Sequence, residues 1–226
     1  MQNKDAFVVT IDGPSGSGKG SLALKIAHTL DFHLLDSGAI YRLLALKALR
    51  LGVDLELESD VVAVLDDFNI RFAAGDELSI PFLDDEDVSA ELRQETTGDA
   101  ASKVARHSEV RQRLLGLQRS FFKAPGLVAD GRDMGTVVFP KARFKFFLCA
   151  SVEIRAQRRY KQLINMGLSA SIAHLQAEIA ERDERDQNRS ASPLKPAEDA
   201  LIVESSLLDL SQVTELVLSH IRDSGQ

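Results

Sequence analysis

Gly13-Pro14-Ser15-Gly16-Ser17-Gly18-Lys19 follows the spacing G-x-x-x-x-G-K. Glycines at these intervals let a loop turn its backbone N–H groups inward around a polyphosphate. The lysine adds a full positive charge where β- and γ-phosphates would lie. The pattern carries this meaning where a buried strand enters the loop and a helix leaves it. Ala6-Phe7-Val8-Val9-Thr10-Ile11 is a β-rich apolar run in front of it, and Ser21 to Leu30 reads as a helix behind it. Such a helix points its positive dipole end at the same phosphates. Gly13, Pro14, Ser15, Gly16, Ser17, Gly18, Lys19, Gly20 and Ser21 are therefore expected to cradle a nucleoside triphosphate.

The residue after Lys19 is Gly20, and a hydroxyl follows only at Ser21. The general pattern puts Ser or Thr directly after the lysine, where its hydroxyl reaches Mg²⁺. That hydroxyl is displaced here. Ser21 stays a candidate ligand, with water and phosphate oxygens expected to supply most of the coordination.

Phosphoryl transfer mostly requires positioning and neutralisation of charge over several oxygens. Two anionic substrates must be brought together, so a shell of arginines is the expected equipment. Arg42, Arg132, Arg155, Arg158, Arg159, Arg182, Arg185 and Arg189 are candidates. Along Glu181 to Arg189, helical rotation gathers Arg182, Arg185, Asp186 and Arg189 on one face. Glu181, Asp183 and Glu184 fall elsewhere, and Arg185 reads best as half of an exposed i,i+4 ion pair. His28, His33, His107, His174 and His220 are scattered without metal-ligand spacing.

The elements that must hold these residues alternate. Phe32 to Leu35 is a short strand, and Ala39 to Leu51 keeps helical spacing with Gly52 as its stop. Leu127-Val128-Ala129 leads a strand into Asp130-Gly131-Arg132-Asp133, and Phe144 to Cys149 is another buried strand. Helices follow over Val152 to Leu163 and Ser171 to Asn188, then the strand Leu201-Ile202-Val203 and a helix from Val213 to Ile221. This alternation predicts a three-layer α/β fold with a mainly parallel sheet. Residues 60–100 break it. A short helix (Val61 to Phe68) precedes two strand-like runs, Asn69 to Ala74 and Leu78 to Leu83, joined around Gly75-Asp76. They read as an inserted antiparallel subdomain. Helices are expected again from Val88 to Arg106 and from Val110 to Phe122.

Composition sets the outer bounds. With 226 residues, 44% of them hydrophobic and 27% charged, the chain can bury a sizeable core. A net charge of −7 argues against coating nucleic acid, which needs a basic surface. The lone Cys149 sits in an apolar run and allows no intrachain disulfide. The apolar run before Asp12 is too short for a signal-peptide core, and no stretch is long and apolar enough to span a membrane. A cytoplasmic protein without membrane or nucleic-acid partners is expected, and a monomer.

Four segments together resemble the bacterial cytidylate kinases. They are Ile11 to Gly20; Leu35-Asp36-Ser37-Gly38-Ala39-Ile40-Tyr41-Arg42; Ala129-Asp130-Gly131-Arg132-Asp133-Met134-Gly135-Thr136; and Glu181 to Arg189. The Gly20-Ser21 variant of the loop is also of the nucleoside monophosphate kinase type and points away from a GTPase. The resemblance covers about Val8 to Val217. It implies a P-loop NTPase fold in which 6–226 is one kinase domain, about 60–100 is a monophosphate-binding insert and about 152–182 is a helical lid.

By position in the motifs, the resemblance assigns Ser37, Ser102, Arg111 and Asp133 to the cytosine and its surroundings. It assigns Arg42, Arg132, Arg182 and Arg189 to phosphates, with Asp186 in the same acceptor set and Arg155, Arg158 and Arg159 in the lid. Lys19, Arg132, Arg182 and Arg189 would be the catalytic group. Asp130 would sit near Mg²⁺, acting through water. Ser37 could equally cap its helix, and Ser102 and Arg111 could be ordinary helix surface. The implied reaction is Mg²⁺-assisted transfer from ATP to CMP or dCMP. Two alternatives stay open on the residues alone. One is a kinase of another small acceptor, with Asp36 recruited as base; the other is a nucleotide-binding regulatory module without turnover.

Overall fold

The computed structural model describes residues 6–73, 79–165, 167 and 169–223. The chain forms two compact units, one running to Leu35 and resuming at Phe121, the other Asp36–Ser120.

The first unit is built on strand β1 (Phe7–Asp12), which leads into helix α1 (Lys19–Leu30). Every residue of β1 after Phe7 is buried, as a strand covered on both faces must be. It lies at the middle of a five-stranded sheet ordered β2-β6-β1-β7-β8, where β2 is His33–Asp36, β6 Gly126–Gly131, β7 Phe144–Cys149 and β8 Leu201–Glu204. The pairs β1–β6, β1–β7 and β7–β8 are parallel. Helices α7 (Val152–Asn165), α8 (Ile172–Asn188) and α9 (Leu210–Asp223) complete the unit. Leu22 and Ile26 of α1 and Val213, Val217 and Ile221 of α9 close one core with Val9, Ile11, Phe146 and Leu148 of the sheet. Each large side chain buried here stabilises the fold by about 1.5–3 kcal/mol. The α/β fold with a mainly parallel sheet is the one the alternating pattern predicts.

The second unit holds α2 (Ser37–Leu51), α3 (Glu58–Val64), α4 (Ser89–Leu92), α5 (Glu95–Val104) and α6 (Ser108–Arg119). Its antiparallel sheet is ordered β3 (Ile70–Ala73), β4 (Ile80–Leu83) and β5 (Glu86–Asp87). The two strands read from the sequence pair as expected, with Ile70 opposite Leu83. The turn expected around Gly75-Asp76 lies outside the described residues. Leu43, Leu46, Leu83, Val88 and Leu92 form the core of this unit. The buried Lys47 ammonium ties α2 to Asp84 at 3.0 Å.

Two local differences have physical causes. The acidic run Asp84 to Asp87, which carries no strand signal, supplies β5 because Phe82 and Leu83 offer it a free edge. The helix expected from Val88 to Arg106 is broken at Gln94, whose ψ of 144° is extended. There the Thr97 hydroxyl donates to the Glu91 carbonyl at 2.8 Å, ending α4 as α5 begins.

Candidate active site

β1 delivers the glycine loop at the centre of the sheet. Gly13 has φ +154°, and a Cβ there would run into the Leu148 carbonyl of the neighbouring strand. Gly16 has φ +74°, and its Cβ would press to 3.2 Å from that of Arg155. Both positions demand glycine, so the spacing legible in the sequence is a steric requirement of this turn. Lys19 opens α1 and donates from Nζ to the Pro14 carbonyl at 3.1 Å, folding over the loop it closes. The Ser17 hydroxyl is buried and has no hydrogen-bond partner among the described residues, in a loop suited to receive phosphate.

A loop that aims its N–H groups at an anion must satisfy its carbonyls on the far side. Arg155 and Arg158, both on α7, do this. Arg155 donates to the Ser15 carbonyl at 3.0 Å and to Ala150 at 2.9 Å. It also forks onto both oxygens of Asp183, at 3.1 and 2.5 Å. Arg158 donates to the Ser17 carbonyl at 3.0 Å and to Ser205 and Leu208 beyond β8. These two guanidiniums brace the loop from behind. Arg159, by contrast, is half-exposed and donates to Gln162 at 3.3 Å.

The second strand end is that of β6, which runs in register with β1 so that Asp12 lies opposite Gly131. Asp130, buried at this end, places its Oδ2 3.5 Å from where a Cβ on Gly20 would stand. The carboxylate thus lies beside the position that carries a Mg²⁺-binding hydroxyl in other phosphate loops. Among the described residues no three His, Cys, Asp or Glu side chains converge as a metal cage.

Arg132 follows on the same turn and donates from Nε to Asp186 Oδ2 at 2.8 Å. Arg189, at the end of α8, has its Nη1 3.7 Å from the other oxygen of Asp186 and donates from Nε to the Ser192 carbonyl at 2.5 Å. Burial works to raise the Asp186 pKa; Arg132, Arg189 and Arg182 outweigh it and hold the carboxyl below its ordinary value. Arg132 and Arg189 thus contact one buried carboxylate from two segments, and the charge of Arg182 acts on it as well. Arg185 faces Glu181 across 3.9 Å; Glu181 is exposed, whereas Arg185 is part-buried, with its Nε and Nη1 out of solvent.

The remaining candidates lie in the second unit. Asp36 caps α2 by accepting from the Ala39 N–H at 3.0 Å, so the capping role left open for Ser37 belongs to its neighbour. Ser37 itself is buried in the first turn of α2. Arg42 donates to the Leu92 carbonyl at 2.5 Å. Ser102 is buried on α5, and Arg111 of α6 lies over the Tyr41 ring at 5.3 Å and donates to Ala105 at 3.0 Å.

Cytidylate kinase is the family whose sequence model matches this chain, over residues 9–223. The chain belongs to the cytidylate kinase family. It is 55% identical over 214 residues to the cytidylate kinase of Vibrio parahaemolyticus serotype O3:K6, covering 95% of each chain. The Photobacterium profundum cytidylate kinase is 54% identical over 219 residues, 97% of this chain and 96% of its own. That of Vibrio cholerae serotype O1 is 55% identical over 214 residues, 95% of both.

Within this family member, two carboxylates matter that the sequence reading left without a role. Asp183, placed off the arginine face, is buried against Arg155. A signal for it exists: Leu175 and Ile179 form the buried stripe of α8, and the same spacing continues to Asp183 and Asp186. Asp12 is the other. Its oxygens accept from the Met134 and Gly135 N–H groups at 2.8 Å each. Burial pushes its pKa up from 3.8 to about 6, against the lowering effect of those two N–H groups; Asp133 raises it further and Arg132 lowers it.

The sign of that shift gives a stability prediction. Because the folded pKa of about 6 exceeds the ordinary 3.8, folding takes up a proton at Asp12 between those values. This contribution is fully present at acid pH and is lost as pH rises from about 4 to about 6. Urea titrations across that window should show wild type losing stability relative to Asp12→Asn by up to about 1.4 kcal/mol per pH unit. Parallel curves for the two proteins would show that Asp12 does not titrate there.

Proposed function

We propose that this protein transfers the γ-phosphoryl group of ATP to CMP and dCMP, giving ADP and CDP or dCDP. The observation that carries the reading is the convergence of Arg132, Arg182 and Arg189 on buried Asp186, in a unit that also holds the braced glycine loop. Gly13 to Ser21 hold the ATP phosphates, Lys19 follows the charge that develops on them, and the three arginines neutralise the phosphoryl group in transit. Mg²⁺, bound with ATP, would supply further neutralising charge, with Asp130 acting through water and Ser21 as a second candidate to hold it. No side-chain base is required, since a phosphate monoester with second pKa near 6 is already largely ionised at neutral pH. Asp36, the base another small-acceptor kinase would recruit, is engaged as the cap of α2.

Cytosine presents an N4 amine donor beside its acceptors N3 and O2. Asp133, buried at the end of the β6 turn, is proposed to accept from N4. Ser37, Arg42, Ser102 and Arg111 are proposed as acceptor-binding on the family pattern, and residues 152–182 as the lid, whose Arg155 and Arg158 tie its base to the glycine loop and whose Arg159 lies one residue further on. We place the enzyme in the cytoplasm, where a free thiol such as that of Cys149 stays reduced, and take it to act as a monomer.

Asp133→Ala tests the substrate reading. The kcat/KM for CMP and dCMP should fall by about 1–3 kcal/mol, roughly 5- to 150-fold. UMP, whose O4 faces the carboxylate as an acceptor, should lose less or improve. The KM for ATP should hardly move. Equal losses for CMP and UMP in steady-state assays on one preparation would show that Asp133 does not read the base.

A further inference from the structure

Asp133 can read a base only if the turn that carries it is fixed, and its nearest support lies on a different strand. After β6 ends at Gly131, the chain bends through Arg132 and Asp133 into a wide turn, Met134–Val138. The Asp133 carbonyl accepts from Val137 and Val138, and the Met134 carbonyl accepts from Phe139 at 2.7 Å. These bonds satisfy carbonyls at the start of the turn, while its first N–H groups point away from them, as at any helix start. The Met134 and Gly135 N–H groups are answered by Asp12, the last residue of β1, one to each oxygen.

We propose that Asp12 is a positioning residue for pyrimidine selection. Its carboxylate clamps the two N–H groups directly after Asp133, setting the direction in which Asp133 and Arg132 leave the sheet. The inference rests on the proposed role of Asp133 in reading cytosine.

Two features make a carboxylate at this point specific. Two donors converge on it, one to each oxygen, and a carboxylate answers both as an acceptor without presenting a donor of its own. An asparagine would present its amide NH₂ to one of the N–H groups, donor against donor. The turn also approaches Asp12 so closely that position 135 has little room for a side chain. A Cβ on Gly135 would lie 2.9 Å from the Thr10 hydroxyl and 3.4 Å from Asp12 Oδ2. The clamp joins the residue immediately before the phosphate loop to the turn holding Asp133, so the strand that presents the donor loop also sets the acceptor-reading turn.

The test compares CMP and UMP on Asp12→Asn, Asp133→Ala and the double variant. Asp12→Asn should lower the CMP-to-UMP ratio of kcat/KM by about tenfold, the order of one buried hydrogen bond lost, while KM for ATP stays within about twofold. In the Asp133→Ala background the same change should leave the ratio unmoved, because Asp12 acts through Asp133. Equal losses for CMP and UMP in Asp12→Asn, or a rise confined to the KM for ATP, would overturn the proposal and make Asp12 a support of the phosphate loop. If Asp133→Ala itself leaves the ratio unchanged, the base-reading role fails first, and that outcome is visible without the Asp12 variants. Should Asp12→Asn not fold, Asp12→Ser, which keeps one acceptor and adds no amide, is read in the same way. Amide hydrogen exchange on the wild type is the further check. Met134 and Gly135 should be protected to the level of β6, and exchange at the rate of an open loop would remove the clamp.

Discussion

Lys19→Met lowers kcat by about 10²- to 10³-fold while the protein stays folded. That is the expected result, and it follows from what Lys19 touches. Its ammonium donates to Pro14 within the loop and takes no part in the core formed by Leu22, Ile26 and the sheet. Methionine keeps a similar length and removes the charge together with the ammonium's hydrogen bonding. A charge needed as the phosphoryl group moves is worth several kcal/mol at the transition state, whereas losing one hydrogen bond to a carbonyl costs the fold about 1 kcal/mol. The melting temperature should therefore fall by only a few degrees. A coupled ADP-release assay with saturating CMP reads kcat directly. A variant keeping more than about a tenth of wild-type kcat, a loss under ~1.4 kcal/mol, would take Lys19 out of the mechanism.

The loop around Lys19 was legible because its chemistry is local. Gly13 and Gly16 sit at positive φ with neighbours where any Cβ would go, so the backbone itself demands the spacing. Buried strands were legible for a related reason: Val8 to Ile11 and Phe144 to Cys149 are apolar runs in a parallel sheet whose partners also are. β5 escaped notice because Glu86 and Asp87 are both exposed, and what makes them a strand is the edge of β4 rather than their own types. The break at Gln94 likewise depends on a hydroxyl three residues ahead reaching back to Glu91.

The functional charges divide in the same way. Helical rotation alone groups Arg182, Asp186 and Arg189, since it depends only on spacing within α8. What it cannot supply is the neighbour. Asp183 is buried because α7 brings Arg155 against it, and Asp12 is engaged because β6 and its turn come into register beside β1. Both carboxylates answer partners more than 25 residues away in sequence, at 28 and 122 residues. Arg155 and Arg158 show the converse. Their type suggested phosphate contacts, while their place on α7 gives them carbonyls of the loop itself to hold.

Arg182→Ala and Arg189→Ala should each lower kcat by about 10²-fold or more, with the fold retained. The electrostatics of Asp186 are the reason. Three guanidiniums act on this one carboxylate, so it keeps cationic neighbours when any one of them is removed. Deleting Arg189 leaves Asp186 bound to Arg132 at 2.8 Å, which avoids the large cost of an uncompensated buried charge. The phosphoryl group in transit has no such reserve, because its charge is spread over three oxygens and each arginine removed leaves some of it unanswered. The loss should therefore fall on kcat more than on the KM for ATP. Arg185→Ala is the comparison: its pairing with the exposed Glu181, 3.9 Å away, is of little worth, and the sequence places it nearer the solvated side of α8 than Arg182 or Arg189. Its kcat should stay within about threefold of wild type, under ~0.7 kcal/mol. Steady-state kinetics on the three variants rank them directly. If Arg185→Ala proves the most damaging, the phosphate-facing side of α8 lies elsewhere, and the convergence on Asp186 is a structural ion network rather than the transfer site.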